Sequence, residues 1–94
     1  MMTDGLKTDQ DIKRALRNFI TESFLPSAGL ESFVDDDSFM ETGIIDSTGV
    51  LELLEFIEET FTIKIEDEEV IPANLDSLNS LSSFIQRKKA DVSP

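Results

Sequence analysis

Cysteine and histidine are both absent from this chain of 94 residues. Without cysteine there is no disulfide framework and no thiolate of the protein's own. Without either residue a zinc site loses its usual ligands, and a nucleophilic serine loses the imidazole that ordinarily activates it. The two absences point away from an enzyme. Bases are also scarce: 8 Lys and Arg stand against 20 Asp and Glu, a net charge of −12. Phosphate backbones and anionic membranes would repel such a surface, so neither nucleic acid binding nor membrane insertion is expected. Basic patches on partner proteins would be attracted to it. No apolar run approaches the ~20 residues of a membrane span, and MMTDGLKTDQ lacks the apolar region of a signal peptide. A cytoplasmic monomer is expected.

Hydrophobic residues make up 39% of the chain, which suits one small globular core. Residues 1–8 are polar and are expected to form a flexible N-terminus. A single domain is expected over 9–89, followed by a flexible tail over 90–94. Within the domain, Ile12, Leu16, Phe19, Ile20 and Phe24 follow a helical stripe over 9–25, which Pro26 should stop. Residues 26–46 keep no period, yet Leu30, Phe33, Val34, Phe39, Met40, Ile44 and Ile45 are too apolar for a solvated linker. This segment reads as an ordered loop lying across the helices, with short helical turns near 30–34 and 37–40.

A second long helix fits 47–61. At about 100° per residue, Val50, Leu53, Leu54, Ile57 and Phe61 share one face, while Leu51 and Phe56 fall on its flanks. Glu52, Glu55 and Glu59 occupy the opposite face, with Glu58 at its margin. Residues 62–66 read as an extended connection with Ile63 and Ile65 inward. Residues 67–71 form one helical turn at most, ended by Pro72. A last helix over 77–89, capped by Asp76 or Ser77, carries Leu78, Leu81, Phe84 and Ile85. The expected fold is all-α: a small antiparallel four-helix bundle of three longer helices and one short, with a long ordered first loop.

Two stretches invite a chemical reading. DDDSFMETGIID, residues 35–46, has the length and some of the acids of a calcium loop. Its sixth position is Met40 where a sharp turn wants glycine, its fifth is Phe39, and its twelfth is Asp46, too short for the bidentate glutamate. It reads instead as a solvated acidic loop with apolar anchors. The second stretch is Asp46-Ser47, at the start of the second long helix. Both residues cap helices well, and only one can do so. Ser47 is therefore either the cap or a surface hydroxyl at a helix N-terminus, where free N–H groups and the dipole would favour a phosphodiester. The acidic face beside it has no interleaved base from residue 18 to 63. Its like charges repel, so it reads as a docking surface.

The run GIIDSTGVLELLEFIEETFTIKI, residues 43–65, resembles the phosphopantetheine-binding carrier proteins, both acyl carriers and the peptidyl or aminoacyl carriers of nonribosomal pathways. The likeness extends over about 9–89. It implies that Ser47 carries 4′-phosphopantetheine, with Asp46 as its motif partner and cap, and that the arm's thiol holds substrate as a thioester. It implies a phosphopantetheinyl transferase that draws on coenzyme A, a loading ligase and downstream biosynthetic enzymes as partners. It also gives Thr48, Leu51, Glu52, Glu55, Glu58 and Glu59 a use in docking. The carrier would need no cysteine or histidine, because partners do the chemistry. One departure is Thr48 where many members have leucine, which bears on the partners rather than on the attachment. The competing expectation is an unmodified acidic adaptor that works by docking alone.

Overall fold

Apolar residues spaced three and four apart dictate three long helices, and their stripes converge on one core. The computed structural model describes residues 8–92, with side chains to 89. Helix α1 spans Asp9–Ser23, α4 spans Ser47–Phe61 and α6 spans Leu78–Val92. Three single-turn helices lie between them: α2 (Leu25–Ala28), α3 (Phe39–Thr42) and α5 (Pro72–Leu75), with a 3-10 turn at Asp67–Glu69. Every regular element among the described residues is helical, and none is long and apolar enough to cross a membrane.

The pairings give the directions. Phe19 of α1 and Phe24, which caps its end, meet Phe56 and Gly49 of α4 in reversed order, so these helices run antiparallel. Asp9 bonds Gln86, and Arg17 reaches through Asp35 to the backbone of Asn79, so α1 is antiparallel to α6 too. The core is built from Ile12, Leu16 and Ile20 of α1, Leu53, Ile57 and Phe61 of α4, and Leu78, Leu81, Phe84 and Ile85 of α6. The first loop adds Phe33, Phe39, Ile44 and Ile45.

Several expectations need correction. Pro26 does not stop α1: the helix breaks at Phe24, and Pro26 lies in the first turn of α2, where its missing N–H costs nothing. Pro72 likewise opens α5 instead of merely ending the turn before it. Only the second of the two turns expected in the loop forms as a helix. Residues 34–37 are instead closed by Asp37, whose carboxylate accepts from the Val34 N–H at 2.9 Å. Leu30, Val34 and Met40 do not anchor the loop, being 38%, 63% and 54% exposed. Thr8 is not loose, because its hydroxyl oxygen accepts from the Asp11 N–H and caps α1; residues 1–7 lie outside the described residues. The last helix runs three residues beyond 89 into the expected tail, since Ala90, Asp91 and Val92 contain no breaker before Pro94.

The three consecutive aspartates of the first loop help to hold it. Asp35 pairs with Arg17 and Lys13, and Asp36 accepts from Asn79. Arg17 also donates to the Phe33 carbonyl at 2.6 Å and lies 4.5 Å above the Phe33 ring. At the far end, Asp76 accepts from the Ser38 hydroxyl and the Met40 N–H, and its carbonyl accepts from the Phe39 N–H at 2.8 Å. The loop is thereby stitched to α1 on one side and to the corner before α6 on the other. It delivers the chain to Asp46 from a fixed direction.

Candidate functional site at the start of α4

Asp46 is the N-cap of α4. Its backbone is extended, its Oδ1 accepts from the Gly49 N–H at 2.8 Å, and its carbonyl accepts from the Val50 N–H at 3.0 Å. The cap competition between Asp46 and Ser47 thus goes to the aspartate. Ser47 is the first helical residue and is exposed, and among the described residues its hydroxyl has no hydrogen-bond partner. The first turn of a helix leaves four N–H groups without intrahelical partners. Asp46 takes that of Gly49, which leaves those of Asp46, Ser47 and Thr48, the last two beside the serine hydroxyl. A free hydroxyl next to free N–H groups and the positive end of a 15-residue helix dipole suits an anionic ester.

The remaining residues of interest sort by their surroundings. Thr48 is exposed, and Leu51, one turn beyond Ser47, is 64% exposed. Glu52, Glu55 and Glu59 are exposed along the outer face of α4. Glu58 is different: one carboxylate oxygen accepts from the Ile65 N–H at 2.8 Å. It ties the connection after α4 back onto the helix, a contact that no sequence period reveals. Phe56, on the flank of the apolar stripe, stacks on Phe19 with centroids 4.1 Å apart.

Two concavities flank the first turns of α4. One is an apolar cavity of about 150 Å³ lined by Phe39, Ile45, Val50, Leu53 and Leu75, with Met40, Val70 and Ile71 at its exposed rim. The other is a groove of about 340 Å³ of mixed character, between Ser23, Phe24, Ser27 and Ala28 on one side and Asp46, Thr48 and Glu52 on the other. Sequence reading missed the rim of the cavity because Met40, Val70 and Ile71 sit in segments with no period. Among the described residues, no group of three or more acids is arranged to hold a metal ion.

No protein-family model matches the chain. The chain is 30% identical over 81 residues to the probable acyl carrier protein PigG of Serratia sp. (strain ATCC 39006), which spans 84% of this chain and 90% of that protein. Its fold is similar to the crystal structure of an acyl carrier protein from Thermotoga maritima. The TM-score is 0.68 at 24% identity, over 90% of this chain and 94% of the other.

Proposed function

The chain belongs to the acyl carrier protein family, and from that premise we propose that Ser47 is the residue on which it carries 4′-phosphopantetheine. The role is that of a carrier and not of an enzyme. The observation that supports the assignment is the division of labour at the start of α4: Asp46 does the capping, so the hydroxyl of Ser47 has no structural duty. The residues present fit the group. The Ser47 and Thr48 N–H groups and the helix dipole favour its phosphodiester, and the open surface around Ser47 leaves the arm room to swing.

Attachment would form a bond from Ser47 Oγ to phosphorus and break the pyrophosphate linkage of coenzyme A, releasing adenosine 3′,5′-bisphosphate, with the hydroxyl proton passing to the transferase. When bound, the arm supplies a thiol that holds an acyl or aminoacyl group as a thioester. The protein's own side chains do the rest. Leu53, Ile57 and Phe61 hold α4 down, while Thr48, Leu51, Glu52, Glu55 and Glu59 face outward, where a partner with a basic patch would dock. One oxygen of Glu58 is already engaged by the Ile65 N–H. The proposed setting is the cytoplasm, in the company of a transferase, a loading enzyme and the enzymes downstream.

The test is intact mass. Incubation with a broad-specificity phosphopantetheinyl transferase and coenzyme A adds one phosphopantetheine to the wild type and none to Ser47→Ala. A wild type that stays unmodified after prolonged reaction removes the assignment.

A further inference from the structure

Gly49 lies two residues after Ser47, and it is buried in the first turn of α4. A Cβ at this position would lie 2.8 Å from Phe24 Cε1, 3.2 Å from Ile45 Cγ2 and 3.4 Å from Asp46 Oδ1. Carbon atoms pack best at about 3.5–4.0 Å, so the phenyl ring occupies the space that any other residue's side chain would need. The same glycine donates its N–H to the Asp46 cap. The turn that carries Ser47 is therefore held from two directions: by the carboxylate at its open end and by the phenyl edge on its flank.

Phe24 is itself fixed. It sits where α1 breaks into α2, it is buried, and its N–H bonds the Ile20 carbonyl at 2.9 Å. Its ring meets Phe19 edge to face at 5.7 Å. Phe19 in turn stacks on Phe56 at 4.1 Å, with the two rings within 8° of parallel. Positions 49 and 56 are about two turns apart on α4 and face the same side. Helix α1 thus grips α4 at two points, a flat aromatic contact in its third turn and a close approach in its first. Two such points fix both the rotation and the axial setting of a rigid helix, and the first lies two residues from the serine.

We infer that Phe24 is a positioning residue for modification at Ser47. Seated against the bare Cα of Gly49, it fixes the first turn of α4, so that the serine hydroxyl is offered to the transferase from one backbone geometry. The inference rests on the reading of Ser47 as the attachment residue.

Gly49→Ala, Phe24→Leu and the double variant test it, with Phe33→Leu as a second buried phenylalanine, one that packs against Arg17 and Phe39. Each unmodified protein is followed by chemical shift at the Ser47, Thr48 and Val50 amides and by hydrogen exchange at the Val50 amide, which bonds the Asp46 carbonyl. Each is then followed by its rate of phosphopantetheine gain from coenzyme A with a broad-specificity transferase. Gly49→Ala is expected to slow modification about tenfold or more, the scale on which small misplacements of a reacting group act, and to shift those three amides. Adding Phe24→Leu makes room for the new methyl and restores most of the lost rate. Phe24→Leu alone speeds exchange at the Val50 amide and slows modification, whereas Phe33→Leu lowers the unfolding midpoint without either effect. The inference is overturned if Gly49→Ala is modified at the wild-type rate, if Phe24→Leu does not relieve it, or if Phe33→Leu slows modification as much as Phe24→Leu. Should Gly49→Ala fail to fold, the comparison of Phe24→Leu with Phe33→Leu decides. If the wild type itself gains no mass, the reading of Ser47 has failed, and the amide data on unmodified protein still decide whether Phe24 sets the turn.

Discussion

Adjacent substitutions at positions 46 and 47 should separate structure from chemistry. In Asp46→Ala the Gly49 N–H loses its 2.8 Å acceptor, and the positive end of α4 loses an adjacent carboxylate. Loss of an aspartate cap costs about 1 kcal/mol, within a range of roughly 0.5–2. For a domain of this size, 1 kcal/mol moves the melting midpoint by about 4–8 °C. Ser47→Ala removes an exposed hydroxyl with no partner among the described residues, at a helical position where alanine is the better former, so its effect should stay within about 0.5 kcal/mol. Asp46→Asn keeps an oxygen that can cap but drops the charge, and should fall close to the wild type. The assay is thermal unfolding followed by far-UV circular dichroism on unmodified protein, with intact mass after transferase treatment on the same samples. The expected pattern is crossed: Asp46→Ala melts early, while Ser47→Ala melts normally and takes no phosphopantetheine. A Ser47→Ala midpoint as low as that of Asp46→Ala would refute the reasoning, because the serine would then share the cap.

Three further outcomes follow from individual contacts. Leu53→Ala, at a fully buried position, should destabilise the fold by about 2–5 kcal/mol in urea titrations, while Leu51→Ala, two residues earlier and largely exposed, should change it by less than about 0.5. Glu58→Ala should speed hydrogen exchange at the Ile65 amide, whose acceptor it removes, whereas Glu55→Ala should leave that amide unchanged. The Asp9 carboxyl is held below its ordinary value chiefly by the hydrogen bond from the Ser82 hydroxyl, with Lys13 and Gln86 assisting against desolvation. The folded state therefore binds that proton less readily than the unfolded chain does. The stabilisation is present above the ordinary carboxylate range and is lost as pH falls through it. The midpoint difference between wild type and Asp9→Asn should accordingly shrink in acid, and a constant difference from neutral pH to acid would contradict this.

The long helices were legible because their apolar residues repeat every three or four positions, and tertiary packing only adjusted their ends. Phe24 ended α1 two residues early, and the absence of a breaker let α6 run to Val92. The segments without a period were harder. Seven apolar residues marked the first loop as packed, yet nothing local separates Phe33, which Arg17 covers, from Val34, which points to solvent. The prolines misled for a related reason. The same ring that ends a helix can also open one, and which it does depends on the residues placed before it. At the site, the pair Asp46-Ser47 was visible but its roles were not, since both residues cap equally well in isolation. Glu58 and Gly49 owe their roles to partners 7 and 25 positions away, at Ile65 and Phe24. No local pattern encodes contacts of that kind.

The distribution of charge bears on why the acidic face exists at all. Most of the described bases are drawn into the frame. Lys13 and Arg17 hold Asp35, Lys88 holds Glu69 at 2.9 Å, and Arg87 donates to Asn74. Lys89 donates to the Phe61 carbonyl at the end of α4. Helix α4 itself has no base, so Glu52, Glu55, Glu58 and Glu59 face one another at three- and four-residue spacing. Each such pair costs a few tenths of a kcal/mol, which the burial of Leu53, Ile57 and Phe61 easily outweighs. The fold tolerates the face without needing it. Glu55→Lys converts the repulsions with Glu52, Glu58 and Glu59 into attractions, and should raise stability by about 0.5 kcal/mol at low salt. If the face serves docking, the same substitution should slow transfer from a partner with a basic patch, and by less as salt screens the encounter. Stability and partner-dependent rate would then move in opposite directions on one residue. A variant that gains stability and keeps its rate at low salt would show that Glu55 lies outside the docking surface.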